Sequence, residues 1–267
     1  MKPNSLTVAL CLAVMSPAAS AQQGAPSVPG TTAPAPAAGP KAEEDPTIGQ
    51  LLKLPQEQQD KVKKLVSEAS TLVGGIRLQE ALQKLTEAEV LAPDLFMIHN
   101  LKGAVLTKAR MFDEARKAFQ KAQQLHPKSF HPKFNLAEIE FVQAAYKARN
   151  GKEEEAKAQF ATAQKQFEAL LAGSVDVPTQ KLIEFKVVVC QLKQGNTAEA
   201  EETVKGFSYI DDEPVYYVGH AALEFHKDDK AAAQEWIDSA NRIYTPAQVT
   251  IYMDSFIEVG WVETLAL

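Results

Sequence analysis

Histidine, cysteine and carboxylate side chains could perform acid–base, nucleophilic or metal chemistry in this 267-residue chain. Zinc sites commonly place two histidines four residues apart on one helix, or combine histidines with clustered cysteines. Neither pattern occurs among the five histidines, which are His99, His126, His131, His220 and His226. His126 and His131 lie beside prolines and are interpreted as turn residues. The sequence therefore predicts no metal site and no cofactor.

Acidic residues form two short runs, at 153–155 and 211–213. Carboxylates at the start of a helix are favourable because they offset the helix dipole, and this is the expected role of both runs. The ligand spacing of a calcium loop is missing. The chain also contains no P-loop, G-x-S-x-G or G-x-G-x-x-G motif. The prediction is that the protein is not an enzyme.

The first residues have the features of a cleaved signal peptide at 1–21. Lys2 supplies a positive charge, residues 6–15 form a short apolar run, and residues 19–21 form an A-x-A cleavage site. The apolar run is too short to cross a bilayer core of about 30 Å. The expectation is an exported protein, periplasmic or secreted, with no integral membrane segment after cleavage. A retained membrane anchor is the alternative.

Cleavage after Ala21 would remove Cys11 and leave Cys190 as the remaining cysteine. An exported protein with one cysteine has no internal disulfide, so packing must hold the fold together. Cys190 follows three valines, which predicts a buried thiol that behaves as a small hydrophobic residue.

Residues 22–47 are rich in Pro, Ala and Gly and show no apolar periodicity. Such a segment cannot bury enough surface to offset the entropy of ordering it, so a disordered linker is predicted. A spacing or partner-docking role for the linker is the alternative. The folded part is expected at 48–267.

The composition favours helix. The chain is 45% hydrophobic but only 7% aromatic, and Ala, Lys, Gln and Glu are abundant; these residues lose little conformational freedom in a helix. The net charge of −6 argues against a general nucleic-acid binder.

Small residues repeat with a period of 34 in the first half of the folded part. An A-x3-[L/F]-x2-A pattern closed by proline starts at Ala81 and again at Ala115, and the preceding helix carries Ala69, Gly103 and Ala137 at the same spacing. This pattern resembles the tetratricopeptide repeat, in which two helices of a hairpin cross at small residues. The resemblance implies an all-α, right-handed α-solenoid of about five helical hairpins with a C-terminal capping helix.

Later repeats depart from this period. The second-helix motif of the third repeat starts at Ala156, which is 41 residues after Ala115. Seven extra residues make nearly two helical turns, so a longer hairpin with its turn at Asn150 and Gly151 is predicted. The predicted repeats are 62–95, 96–129, 130–172 (extended), 181–213 (divergent) and 214–245 (divergent), and the predicted cap is 246–259.

The family resemblance also implies a binding surface, because the first helices of such repeats line a concave face where family members usually bind peptides or partner helices. The residues predicted on this face, given next, are apolar and aromatic with isolated charges, a mixture that suits an apolar peptide or helix. The predicted partner-binding residues are Asn100, Thr107, Lys108, His131, Phe134, Glu138, Phe141, Phe185, Val189, Lys193, Val218, Ala222 and Phe225. Packing of the phenylalanines between helices is the alternative.

The leading hypothesis is a non-catalytic scaffold or assembly factor of the bacterial envelope that binds a protein or peptide. One alternative is an enzyme or enzyme subunit with a site in the divergent half after Ala172. Another is a structural subunit of an envelope complex. The sequence does not set the oligomeric state.

Overall fold

The computed structural model describes residues 46–173, 175–210 and 212–263. The predicted signal peptide and nearly all of the predicted linker lie outside these residues. The linker's last two residues begin helix α1, which starts at Pro46.

Twelve helices make up the described part of the chain, and each is labelled in chain order. Their bounds are α1 Pro46–Leu51, α2 Gln56–Gly74, α3 Leu78–Leu91, α4 Phe96–Lys108, α5 Phe112–Leu125, α6 Phe130–Arg149, α7 Glu153–Leu171, α8 Val177–Gln194, α9 Thr197–Lys205, α10 Val215–His226, α11 Lys230–Ile243 and α12 Pro246–Glu258.

Helices α2 to α11 form five antiparallel hairpins, and each hairpin packs against the next in sequence order. A residue with positive φ reverses the chain between the two helices of every hairpin. These residues are Ile76, Arg110, Gly151, Gly195 and Asp228. Each of the five turns therefore contains one residue in the left-handed backbone conformation.

Small residues allow the two helices of a hairpin to approach closely, as the 34-residue period predicts. A Cβ atom built on Gly103 of α4 would lie 2.5 Å from the ring of Phe119 on α5. Ala69 and Ala137, which occupy the same position in the neighbouring repeats, are buried. Gly219 of α10 makes a close approach to the preceding hairpin instead, because a Cβ there would lie 2.9 Å from the ring of Phe207, which follows α9.

The third hairpin is the longest. Its helices α6 and α7 have 20 and 19 residues, against 13 and 14 in the second hairpin. The fourth hairpin departs in the other direction, because its second helix α9 has only 9 residues. The chain after α11 turns back at Tyr244 and Thr245 into the final helix, α12.

Candidate partner-binding surface

The first helices of the hairpins, α2, α4, α6, α8 and α10, form one side of the molecule, which we call the first-helix surface. Helices α4 and α6 contact each other directly, as do α8 and α10. Helix α12 packs against α6 and α8 as well as against its neighbour α11. The C-terminal helix therefore covers part of the first-helix surface as well as closing the end of the array.

Local sequence explains why α12 forms and which side it buries. Thr245 caps the helix in a reciprocal capping box with Gln248, and Pro246 occupies the first turn. Four buried residues follow at the i, i+3, i+4, i+7 spacing of one helical face. They are Val249, Tyr252, Met253 and Phe256.

Aromatic rings anchor this face to α8 and α10. The ring of Phe185 on α8 packs edge-on against Tyr252 and Phe256, with centroid distances of 5.3 and 5.4 Å. Phe256 also contacts Phe225 of α10 at 5.1 Å. Trp261, which follows α12, stacks on Phe225 at 6.0 Å. Edge-to-face pairs of this kind add to the stabilisation from area burial.

A buried cation joins three helices beneath α12. Lys186 of α8 is only 4% exposed, and its Nζ lies 2.9 Å from Oε2 of Glu138 on α6. The same ammonium donates to Ser255 Oγ of α12 at 3.1 Å and lies 4.7 Å from the Phe141 ring centroid. A buried charge needs such partners to offset its lost hydration.

Two arginines hold Glu258 at the end of α12. Arg110 Nη2 donates to both carboxylate oxygens at 3.1 and 3.0 Å, and Arg149 Nη2 donates to Oε2 at 3.2 Å and also to the backbone carbonyl of Glu258. Arg110 has φ 62°, a left-handed conformation that costs a non-glycine residue about 1–2 kcal/mol. The turn of the second hairpin thus carries an arginine where glycine would be easier, and that arginine reaches α12.

Three ionisable side chains are poorly hydrated at this interface. Burial lowers the pKa of Lys108, although Asp254 and Glu258 act in the opposite direction. Burial likewise lowers the pKa of Lys193, whose ammonium lies 5.7 Å from the Trp261 ring centroid. Burial raises the pKa of Asp254 to about 6; the nearby ammonium of Lys186 opposes this rise, and the carboxylate of Glu138 adds to it.

Comparison with solved structures supports the repeat architecture. A tetratricopeptide repeat protein from Parabacteroides merdae is similar with a TM-score of 0.52 and 14% identity over 73% of this chain and 71% of that chain. The chain has the tetratricopeptide-repeat fold. YrrB, described as a TPR protein with an unusual peptide-binding site, matches at a TM-score of 0.37 and 15% identity over 79% of this chain and 98% of that chain. No protein-family model and no curated protein sequence matches the chain.

The fold places the predicted binding residues in two groups. One group is buried and comprises Asn100, Phe134, Phe141, Phe185, Val189, Val218, Ala222 and Phe225. The other group retains some exposure and comprises Thr107, Lys108, His131, Glu138 and Lys193. Among all of these, Lys108, Glu138, Phe185, Lys193 and Phe225 surround α12 or Trp261. Whether this surface binds a partner stays a prediction.

All eight buried residues were predicted to line an open surface, and the structure packs them inside instead. Phe134 packs 5.9 Å from Phe167, and Phe141 packs 5.6 Å from Phe160, so both rings contact the second helix α7. The reason is that α6 packs against α4, α5, α7 and α12, so much of its circumference is buried. Asn100 is also internal, since it accepts a hydrogen bond of 2.9 Å from Asn135 between α4 and α6.

Sequence reasoning missed the residues that hold α12. Arg110 lies in a turn and Arg149 is the last residue of a helix. Neither belongs to a periodic sequence pattern from which a contact with a distant helix could be predicted. Lys186 offered a usable indication, because it is a single charge inside an apolar run. A charged residue in such a run must find a partner when the helix is buried.

Other features of the described residues do not add a chemical site. An open groove of about 590 Å³ lies between α3, α4 and α5, and its Glu89 pairs with Lys102 and lies near His99. No group of three or more His, Cys, Asp or Glu in the described ranges is arranged to hold a metal ion. Among these residues, no helix combines the length and apolar character needed to cross a membrane.

Proposed function

We propose that this protein is a non-catalytic interaction scaffold or assembly factor of the bacterial envelope, and that it binds a peptide or helix of a partner protein on its first-helix surface. One observation carries the proposal: this surface already holds an amphipathic helix, α12, through aromatic rings and ion pairs. A surface that packs rings at 5.3 and 5.4 Å and clamps a carboxylate has the chemistry of helix-in-groove recognition.

The envelope location rests on the N-terminal sequence. Lys2, the apolar run at 6–15 and the A-x-A site at 19–21 support export by a cleaved signal peptide. The buried state of Cys190 supports a fold that needs no disulfide after export.

The test is crosslinked co-purification of the full chain from its native envelope. Arg149→Glu reverses a charge on the first-helix surface and should abolish capture of a partner that uses this surface. Lys165→Glu makes the same charge change at an exposed position of α7 and should leave capture unchanged. A reproducible partner lost only with Arg149→Glu supports the proposal. No reproducible partner, or equal capture by both variants, contradicts it.

A further inference from the structure

Positive charge is concentrated where α12 lies. Four cations on or beside the first-helix surface face α12, and a fifth, Lys193, faces Trp261. The four are Lys108, Arg110, Arg149 and Lys186. The acids contributed by the rest of the chain are Glu138 beside Lys186, Glu153 near Lys193, and Glu184 and Glu213 near Tyr252, so the cations still outnumber them. In a chain with a net charge of −6, this is a local reversal of sign. Electrostatic complementarity therefore favours an acidic occupant.

Aromatic residues define the rest of the groove. Phe185 contacts Tyr252 and Phe256 of α12, and Phe225 contacts Phe256. Tyr252 and Phe256 lie four residues apart and therefore on one helical face. Together with the cations, these rings specify an amphipathic helix that carries two aromatic residues one turn apart and carboxylates beside them. Helix α12 meets that description through Tyr252, Asp254, Phe256 and Glu258.

The fit of α12 is nevertheless incomplete. The Nζ atom of Lys108 and the hydroxyl of Tyr252 are both buried without a hydrogen-bond partner among the described residues. A buried polar group that forms no hydrogen bond costs free energy, because it has given up its bonds to water. Of the two nearby acids, Asp254 does more than Glu258 to raise the pKa of Lys108. Burial, however, also disfavours the charged form of Asp254. An occupant that pairs with Lys108 would gain an interaction that α12 leaves unmade.

We propose that α12 is a displaceable internal occupant, and that a partner's amphipathic helix replaces it by presenting two aromatic residues one turn apart and carboxylates that reach Lys108, Arg110 and Arg149. This inference rests on the proposed function and names the chemical class of its partner. The two-residue connection at Tyr244 and Thr245 joins α12 to the last hairpin. Release at this point leaves the five hairpins packed against one another.

A peptide of residues 246–262 with a fluorescent label is the probe for the first test, and its binding to the full chain is measured by anisotropy. Native protein should bind it weakly because α12 occupies the groove. Glu258→Arg removes the carboxylate that Arg110 and Arg149 hold, so it should release α12 and increase peptide affinity at least tenfold. Equal affinity for the two proteins, or no binding to either, overturns the proposal.

Matched controls separate groove binding from a general charge effect. Glu235→Arg makes the same charge change at an exposed position of α11 and should leave the peptide affinity at its native level. A peptide in which Asp254 and Glu258 are both replaced by lysine should not bind the Glu258→Arg protein. Binding of that basic peptide with unchanged affinity would contradict an acidic ligand. Circular dichroism melting confirms that each variant is folded.

The second test concerns Lys108 and uses hydrogen exchange of the full chain. Amides of α12 should exchange faster than those of α8, because α12 opens without unfolding the array. Lys108→Met removes the unpaired ammonium and should slow exchange in α12 at least threefold relative to native protein. Equal protection of α12 and α8, or faster α12 exchange in Lys108→Met, overturns the proposal.

Failure of this inference is distinguishable from failure of the proposed function. If a partner is captured in an Arg149-dependent way while Glu258→Arg gains no peptide affinity, the scaffold function stands and displacement of α12 is wrong. If no reproducible partner is captured, the proposed function is wrong whatever the peptide does.

Discussion

Arg110 and Glu258 lie 148 residues apart in the sequence, yet the guanidinium of the first donates to both carboxylate oxygens of the second at 3.1 and 3.0 Å. The contact joins the turn of the second hairpin to the end of the C-terminal helix. It therefore closes a loop that includes three further hairpins. Helix α12 consequently links the second hairpin to the end of the array, whereas the repeats of such an array mainly contact their neighbours.

A double-mutant cycle measures this contact. Arg110→Met and Glu258→Gln should show a coupling free energy of about 1–2 kcal/mol, since Arg110 Nη2 contacts both carboxylate oxygens and Glu258 is largely buried. The same cycle on Lys205 and Glu202, an exposed pair on α9, should show a much smaller coupling, because solvent screens the two charges. Urea unfolding at constant pH provides the free energies. Equal coupling in the two pairs would contradict a special role for Arg110 and Glu258.

Gly103→Leu tests the contact that sets the repeat. A Cβ at this position would already lie 2.5 Å from the Phe119 ring, so the larger side chain should destabilise the protein by about 1–3 kcal/mol or more. Gly49→Leu is the control, because no atom lies within 4 Å of its Cβ position. Thermal melting should show a lower Tm for Gly103→Leu alone. An unchanged Tm would mean that the helices are not in close contact at Gly103.

Asp254 makes stability depend on pH. Its pKa is about 6 in the folded protein, above its ordinary value of 3.8, so the folded state binds more protons between these values. The contribution of Asp254 to stability should therefore rise as the pH falls through 6, by about 1 kcal/mol between pH 7.5 and 5, while the lowered pKa values of His220 and His226 act in the opposite direction in both proteins. Asp254→Asn cannot titrate and should lack this component. Urea midpoints of the two proteins at both pH values test the prediction, and parallel changes in the two would refute it.

Cys190 should be chemically inert in the folded protein. Its side chain is fully buried, and burial raises the pKa of the thiol well above its usual value. Because the thiolate is the reactive form, a thiol reagent should label Cys190 only after global unfolding. Labelling is followed by absorbance with and without denaturant. Rapid modification of native protein would contradict this placement.

Local pattern was sufficient to predict the hairpins. The 34-residue spacing of Ala69, Gly103 and Ala137 follows from close helix packing, which only small side chains permit. The stretched third hairpin was also predictable, because two added turns keep the same helical face toward the core. Which side of α6 would face outward was not predictable. That depended on how many neighbours surround α6, and the sequence of one helix does not record its neighbours.

The sequence by itself determined the all-α class, the repeat period and the existence of an apolar final helix capped at Thr245. These properties depend on contacts within one helix or between adjacent helices, so short-range periodicity encodes them. Only the tertiary structure decided that α12 lies across the first-helix surface, with Glu258 between Arg110 and Arg149 and Ser255 on Lys186. The physical reason is that two features set the position of α12: the curvature of the array, and the angle between α11 and α12 at Tyr244 and Thr245. Both are sums of small rotations over many residues, and no single motif specifies them.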